Sequence, residues 1–128
     1  MRASETCPFC SPEPDRLLLR MDLCLVMADG FPVSPGHTLI VPTRHIQTVF
    51  EATDEEQRAL LLGLRQAREL IEASRKPDGY NIGINQGDAG GQTVTHLHVH
   101  LIPRYRGDCG DPRGGIRWVL PDRAKYWE

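Results

Sequence analysis

Along Thr95–Pro103, His96, His98 and His100 alternate with Leu97, Val99 and Leu101. A period of two predicts a β-strand that carries three imidazoles on one face and aliphatic side chains, fit for a core, on the other. Neighbouring rings on such a face stand about 6.6 Å apart along the strand, so three can surround one small group. Short apolar or alternating runs predict further strands at Arg16–Arg20, Asp22–Ala28, His37–Pro42 and Tyr80–Asn85, and one more at Ile116–Pro121. Leu60, Leu64, Ala67 and Ile71 instead recur at four- and three-residue steps, opposite Arg58, Arg65, Arg68, Glu69 and Glu72. That spacing predicts an amphipathic helix from Asp54 to Arg75. Thr53 and Glu56 have the spacing of a capping box at its start, and Pro77-Asp78-Gly79 ends it. Turn formers fill Asp29–Gly36, and Gln86–Gly91 joins Tyr80–Asn85 to the histidine strand as an antiparallel hairpin. The glycines of that turn leave backbone N–H groups uncovered, a nest suited to phosphate.

Composition narrows the class. With 128 residues, 40% hydrophobic and 25% charged, the chain fits one globular domain over residues 1–128, able to bury a core without staples. A formal charge of -2 and no dense Lys/Arg block speak against a nucleic-acid groove or a membrane surface, leaving a small molecule as the expected partner. There is no apolar run of about 18 residues. Met1–Pro8 lacks the apolar core of a signal peptide, so a cytoplasmic location is expected. Cys24 lies in an apolar strand and Cys109 beside glycine, so the four cysteines do not read as a disulfide framework.

Cys7-Pro8-Phe9-Cys10 is the second chemical signal. Such a pair presents two thiolates to one zinc ion, which needs two further ligands from elsewhere. A thioredoxin-like redox pair would need a helix starting between the cysteines, which the following Ser11-Pro12-Glu13-Pro14 opposes. His37 and His45 flank the His37–Pro42 strand at its two ends. The alternating histidines themselves admit a tri-histidine metal site, a nucleophilic imidazole with orienting neighbours, or a polar sheet face. The last is disfavoured because clustered titratable rings repel one another on protonation.

His96-Leu97-His98-Val99-His100-Leu101-Ile102 resembles the signature of the histidine triad (HIT) family. The likeness extends through Pro35-Gly36-His37, the strand into Pro42, Arg44-His45-Ile46 and Gly90-Gly91-Gln92-Thr93, covering roughly Leu23 to Arg104. Pro103-Arg104-Tyr105 looks like its dinucleoside polyphosphate hydrolase branch. The resemblance implies an α+β domain, with an antiparallel sheet of about five strands, one long helix and the triad strand near the centre. It implies that His98 attacks the α-phosphorus of a purine nucleotide conjugate, forming a covalent nucleotidyl-histidine that water cleaves to release AMP. His100 and His37 then fall where phosphate oxygens are contacted, and Gln92 and Thr93 where the bridging oxygen and leaving group bind. Asn85 and Gly91 fall in the nucleotide pocket, and Asp29 where ribose hydroxyls are held. It also implies a structural zinc on Cys7, Cys10, His45 and His96, within a knuckle over residues 1–15. The implied assembly is a homodimer with a tail over residues 105–128 that reaches the partner's pocket. Cys24 and Cys109 receive no role.

Overall fold

The computed structural model describes residues 7–128; the reading of Met1–Thr6 as lacking a leader's apolar core lies outside the described residues. Five strands, β1 (Leu17–Arg20), β2 (Cys24–Ala28), β3 (Thr38–Pro42), β4 (Gly79–Gly83) and β5 (Val99–Arg104), form one antiparallel sheet in the order β1-β2-β3-β5-β4. A long helix, α1 (Asp54–Glu72), packs on one face, and a four-residue helix, α2 (Pro121–Ala124), closes the chain. This is the expected α+β sheet-and-helix architecture. The central strand is β3, and the triad strand β5 lies beside it, one place in from the edge strand β4.

Alternation in β2 and β3 builds two cores. Cys24, Val26 and Ile40 meet Leu60, Ala67 and Ile71 of α1, joined by Leu97, Val99 and Leu101 from the triad segment. Leu25, Met27, Leu39 and Val41 point to the other face, where they are covered by Cys7 and Phe9 of the N-terminal segment. Burying each such aliphatic side chain contributes roughly 1.5–3 kcal/mol, so the central strands are fixed from both sides.

The helix begins where its sequence signals place it. Thr53 Oγ1 accepts from Glu56 N–H at 3.1 Å, and Glu56 Oε1 accepts from Thr53 N–H at 2.9 Å. Glu56 is buried, and Arg44 donates to both its oxygens at 2.7 and 3.1 Å. The Arg44 bonds hold its carboxyl down at about 2. This charge therefore belongs to a packed clamp, whereas the charges farther along the helix remain on its solvated side.

Several expected boundaries shift; the strand expected over Tyr80–Asn85 ends at Gly83, and the one over Asp22–Ala28 starts at Cys24. The regular helix ends at Glu72, three residues before Arg75, although Arg75 N–H still reaches the Ile71 carbonyl. Ile116–Pro121 is not a strand: Gly115–Val119 is a 3-10 turn, entered through Gly114 and Gly115 at φ 91° and 44° and closed by Pro121 at the start of α2. Most informative, β5 starts only at Val99, so His96 and His98 precede the regular strand. Leu97 N–H is taken by the Ile46 carbonyl at 2.6 Å, which anchors this bend to the segment after β3.

Candidate active site and metal centre

Three side chains far from it in sequence converge on His96 Nδ1. It lies 3.3 Å from Cys7 Sγ, 3.4 Å from Cys10 Sγ and 3.1 Å from His45 Nδ1, and Cys10 Sγ to His45 Nδ1 is 3.1 Å. A tetrahedron with zinc bond lengths has edges of about 3.3–3.8 Å, so the set fits that ion in both spacing and chemistry. The other nitrogen of His96 bonds the Pro42 carbonyl at 2.9 Å, which places the proton on Nε2 and leaves Nδ1 to face the sulfurs. Cys10 N–H donates to Cys7 Sγ at 3.2 Å, as a metal knuckle requires. Burial and the neighbouring Cys7 push the Cys10 thiol up to about 11, so a metal must displace protons to bind here. Two anchors supply the remaining order. The Arg44–Glu56 clamp holds the residue before His45, and the Ile46–Leu97 bond holds the residue after His96.

The other histidines form a second group. His98 is only 7% exposed, and its Nδ1 meets the His96 carbonyl at 2.8 Å. A carbonyl can only accept, so Nδ1 carries the proton and Nε2 keeps its lone pair. The His100 ring lies 5.1 Å away and the Phe9 ring 4.9 Å away, centroid to centroid. His37 Nδ1 accepts from Val33 N–H at 3.1 Å, which puts the His37 proton on Nε2, 2.9 Å from His100 Nδ1. His100 Nδ1 is thereby the acceptor, and its Nε2–H is left to donate. Asp29 Oδ2 lies 3.3 Å from His37 Nε2 and 4.0 Å from His100 Nδ1, while Oδ1 accepts from Phe31 N–H at 2.8 Å. Burial holds both His37 and His100 below the ordinary histidine range, against an opposing pull from Asp29. Ser34 Oγ on the Pro103 carbonyl at 2.7 Å, and Tyr105 OH on the Pro35 carbonyl at 2.6 Å, tie the Asp29–Gly36 loop to the end of β5.

The tri-histidine metal alternative fails on direction. Both His96 nitrogens are engaged by Pro42 and the cysteine–His45 cluster, and His98 Nδ1 turns to its own backbone. The two groups therefore divide the expected residues: Cys7, Cys10, His45 and His96 in one, His37, His98, His100 and Asp29 in the other.

The loop before the triad differs from a plain phosphate nest. Gly90 and Gln92 N–H both bond the Gly87 carbonyl, and Gly91 N–H bonds Asp88, so these donors are spent within the turn. Gly87 and Gly91 sit at φ 77° and 90°, where only glycine is comfortable. The buried Gln92 amide accepts from Gly87 N–H at 2.9 Å and donates to the Gln47 and Val94 carbonyls at 3.0 and 3.1 Å. Thr93, Gly91 and Asn85 are exposed on the same stretch. Sequence reasoning passed over three parts of the site: Phe9, the Val33 N–H and the Pro42 carbonyl. Phe9 had a signal, an aromatic residue inside the cysteine pair, whereas the two backbone groups had none.

Compared with known proteins, the chain is 35% identical over 103 residues to "AP-4-A phosphorylase" of Mycobacterium tuberculosis, covering 80% of this chain and 53% of that protein. It is 34% identical over 100 residues to "Bis(5'-nucleosyl)-tetraphosphatase [asymmetrical]" of Schizosaccharomyces pombe, covering 78% of this chain and 55% of that protein. The chain thus spans about half the length of these two relatives. Among solved structures, a zinc-bound histidine triad family protein from Mycobacterium smegmatis superposes with a TM-score of 0.73 at 33% identity, covering 82% of this chain and 79% of that one. The HIT domain model matches residues 11–107, a span that holds every strand, α1 and all five histidines and leaves out Cys7 and Cys10; the chain belongs to the HIT domain family.

Proposed function

We propose that the protein is a nucleotide hydrolase or transferase that cleaves purine nucleotide conjugates, dinucleoside polyphosphates or nucleoside phosphoramidates, at the α-phosphorus and releases AMP. The observation that carries this reading is the bond from His98 Nδ1 to the His96 carbonyl. It puts the proton of the neutral ring on Nδ1 and leaves the lone pair on Nε2, the tautomer a nucleophilic imidazole needs. The Nε2 lone pair forms an N–P bond, and the bond to the leaving group breaks. The leaving group departs with the electron pair of the broken bond and takes a proton from solvent. Water then adds to phosphorus, the N–P bond breaks, its electron pair returns to Nε2, and a proton is released to solvent.

His100 fits an oxygen-binding role, because its Nε2–H is the one donor left free by the Val33–His37–His100 chain. His37 acts behind it, fixing that tautomer. We assign Thr93, Gly91, Asn85 and Asp29 to nucleotide contacts, and Gln92 to holding the loop that presents Thr93. The zinc would sit on Cys7, Cys10, His45 and His96 as a structural clamp, keeping Nδ1 of His96 proton-free and the segment next to His98 in place.

The whole chain reads as one domain that acts on a small molecule, without nucleic acid or membrane as partner; no helix among the described residues is long and apolar enough to cross a membrane. Four free thiols suit a reducing, cytoplasmic setting. A homodimer is supported by β4, which ends the sheet with an unpaired outer edge and a half-exposed Ile82; a monomer in sedimentation would remove it. The decisive assay follows AMP release from a diadenosine polyphosphate and an adenosine phosphoramidate. His98→Ala should lose turnover while still binding AMP. Unchanged turnover in that variant rules the mechanism out, and negligible turnover by the natural chain with tight AMP binding favours a nucleotide-binding protein instead.

A further inference from the structure

Between Cys7 and Cys10 the chain carries Phe9, and it is more than a spacer. The ring is 6% exposed and packs with Leu25, Met27, Leu39 and Val41 on the sheet face away from α1. Its centroid lies 4.9 Å from that of His98 with the planes 59° apart, and 6.0 Å from that of His96 at 87°. Tilted and edge-on pairs at these separations are favourable in themselves.

The geometry matters because the buried His98 ring has one described hydrogen bond, so packing must set the rest of its orientation. One hydrogen bond, Nδ1–H to the His96 carbonyl, fixes a single point of the imidazole. The outer torsion of histidine is broad, so one bond fixes a point of the ring but not its tilt, which falls to the side chains packed against it. The described ring neighbours of His98 are His100, at 5.1 Å, and Phe9. His100 is already committed through Nδ1 to His37. The Phe9 side chain has no polar atom to commit and is held by packing, and the two cysteines that bracket it reach His96 Nδ1 through Cys7 Sγ at 3.3 Å and Cys10 Sγ at 3.4 Å.

We propose that Phe9 is a positioning residue for His98: held over the sheet by the cysteine pair, its ring limits the tilt of the imidazole and keeps Nε2 on the line of attack. The inference rests on reading His98 as the nucleophile. It gives the cysteine turn a second consequence, because whatever seats that turn against His96 also sets the aromatic wall of the neighbouring ring. In-line displacement tolerates little error, and a misplacement of about 1 Å costs on the order of a hundredfold in rate.

The test uses the full chain carrying Phe9→Ala, Phe9→Leu or His98→Ala, with AMP release and metal content measured on each preparation. Phe9→Ala should lower kcat by about tenfold to a hundredfold with KM within about twofold and metal content unchanged. Phe9→Leu, which refills most of the volume and guards against a folding failure in the smaller variant, should recover part of the loss. In 15N-resolved NMR the His98 Nδ1–H proton should exchange faster with water in Phe9→Ala than in the natural chain. An unchanged kcat, or a rise in KM alone, overturns the proposal, since Phe9 would then only line the ligand pocket. A fall in kcat that tracks metal loss in both Phe9 variants overturns it as well. Turnover that survives in His98→Ala is a separate failure: it removes the nucleophile itself, and this inference with it.

Discussion

At the scale of single residues, the site works by fixing which nitrogen of each ring holds a proton. Backbone groups do most of this: the His96 carbonyl for His98, the Pro42 carbonyl for His96 and the Val33 N–H for His37. Burial assists by holding His37 and His100 below the ordinary histidine value, and the groups facing them are His98 and Asp29. The pair should therefore stay neutral at pH values where a solvated histidine, of ordinary value about 6.5, is half charged. In NMR the imidazole signals of His37 and His100 should keep their neutral shifts down through about 6.5 and titrate only in more acid solution; titration at or above that value would contradict this. Stability follows the same direction. Below about 6.5 the unfolded chain binds protons that these folded rings refuse, so stability is lost as pH falls from there towards the lowered folded values and is level above. A melting series across that range, compared with His37→Gln, reads it directly.

At the scale of elements, α1 and the central strands are in close contact at Gly63. A Cβ added there would lie 2.8 Å from Ile40 Cγ2 and 3.1 Å from Cys24 Sγ, both in the buried core. In an exposed helix, glycine to alanine gains about 1 kcal/mol. Here the clash reverses the sign: overpacking of a filled core costs typically 1–3 kcal/mol. Gly63→Ala should lower the urea midpoint, for a net loss of stability of up to about 2 kcal/mol, and a raised midpoint would show that α1 can move off the sheet cheaply. The same packing bears on why the triad strand starts only at Val99. Leu97 is wholly buried among the α1 contacts while His96 turns to the cysteines, and this is met by the bend bonded to Ile46.

At the scale of the whole molecule, the two sites are joined through one short segment. His96 belongs to the cysteine–histidine group and His98 to the group with His37 and His100, two residues apart, and Phe9 connects them again from the N-terminal side. The natural chain should hold one zinc per protomer by elemental analysis, and the Cys7→Ser, Cys10→Ser double variant none. The metal-free protein should melt several degrees lower, since any ion bound only by the folded chain stabilises it. Zinc retained by the double variant would move the metal to other ligands.

The alternation around the histidines, the capping box at Thr53 and the heptad-like stripe of α1 were legible in the chain, because each depends on neighbours within a few positions. The pairing of Cys7 and Cys10 was legible as a metal signal for the same reason, and its completion by His45 and His96 came from likeness to a family. Local spacing could not tell that β5 begins at Val99, that the glycine turn spends its own N–H groups, or that Ile116–Val119 coils. Those outcomes depend on which distant carbonyl or side chain competes for each donor, as Ile46 does for Leu97 and Gly87 for Gln92. Sequence by itself determined the residue types and the periods that make the sheet, the helix and the histidine face. Only the tertiary structure decided the tautomers and the place of Phe9, because a proton's position and a ring's tilt are set by contacts between residues up to 89 positions apart.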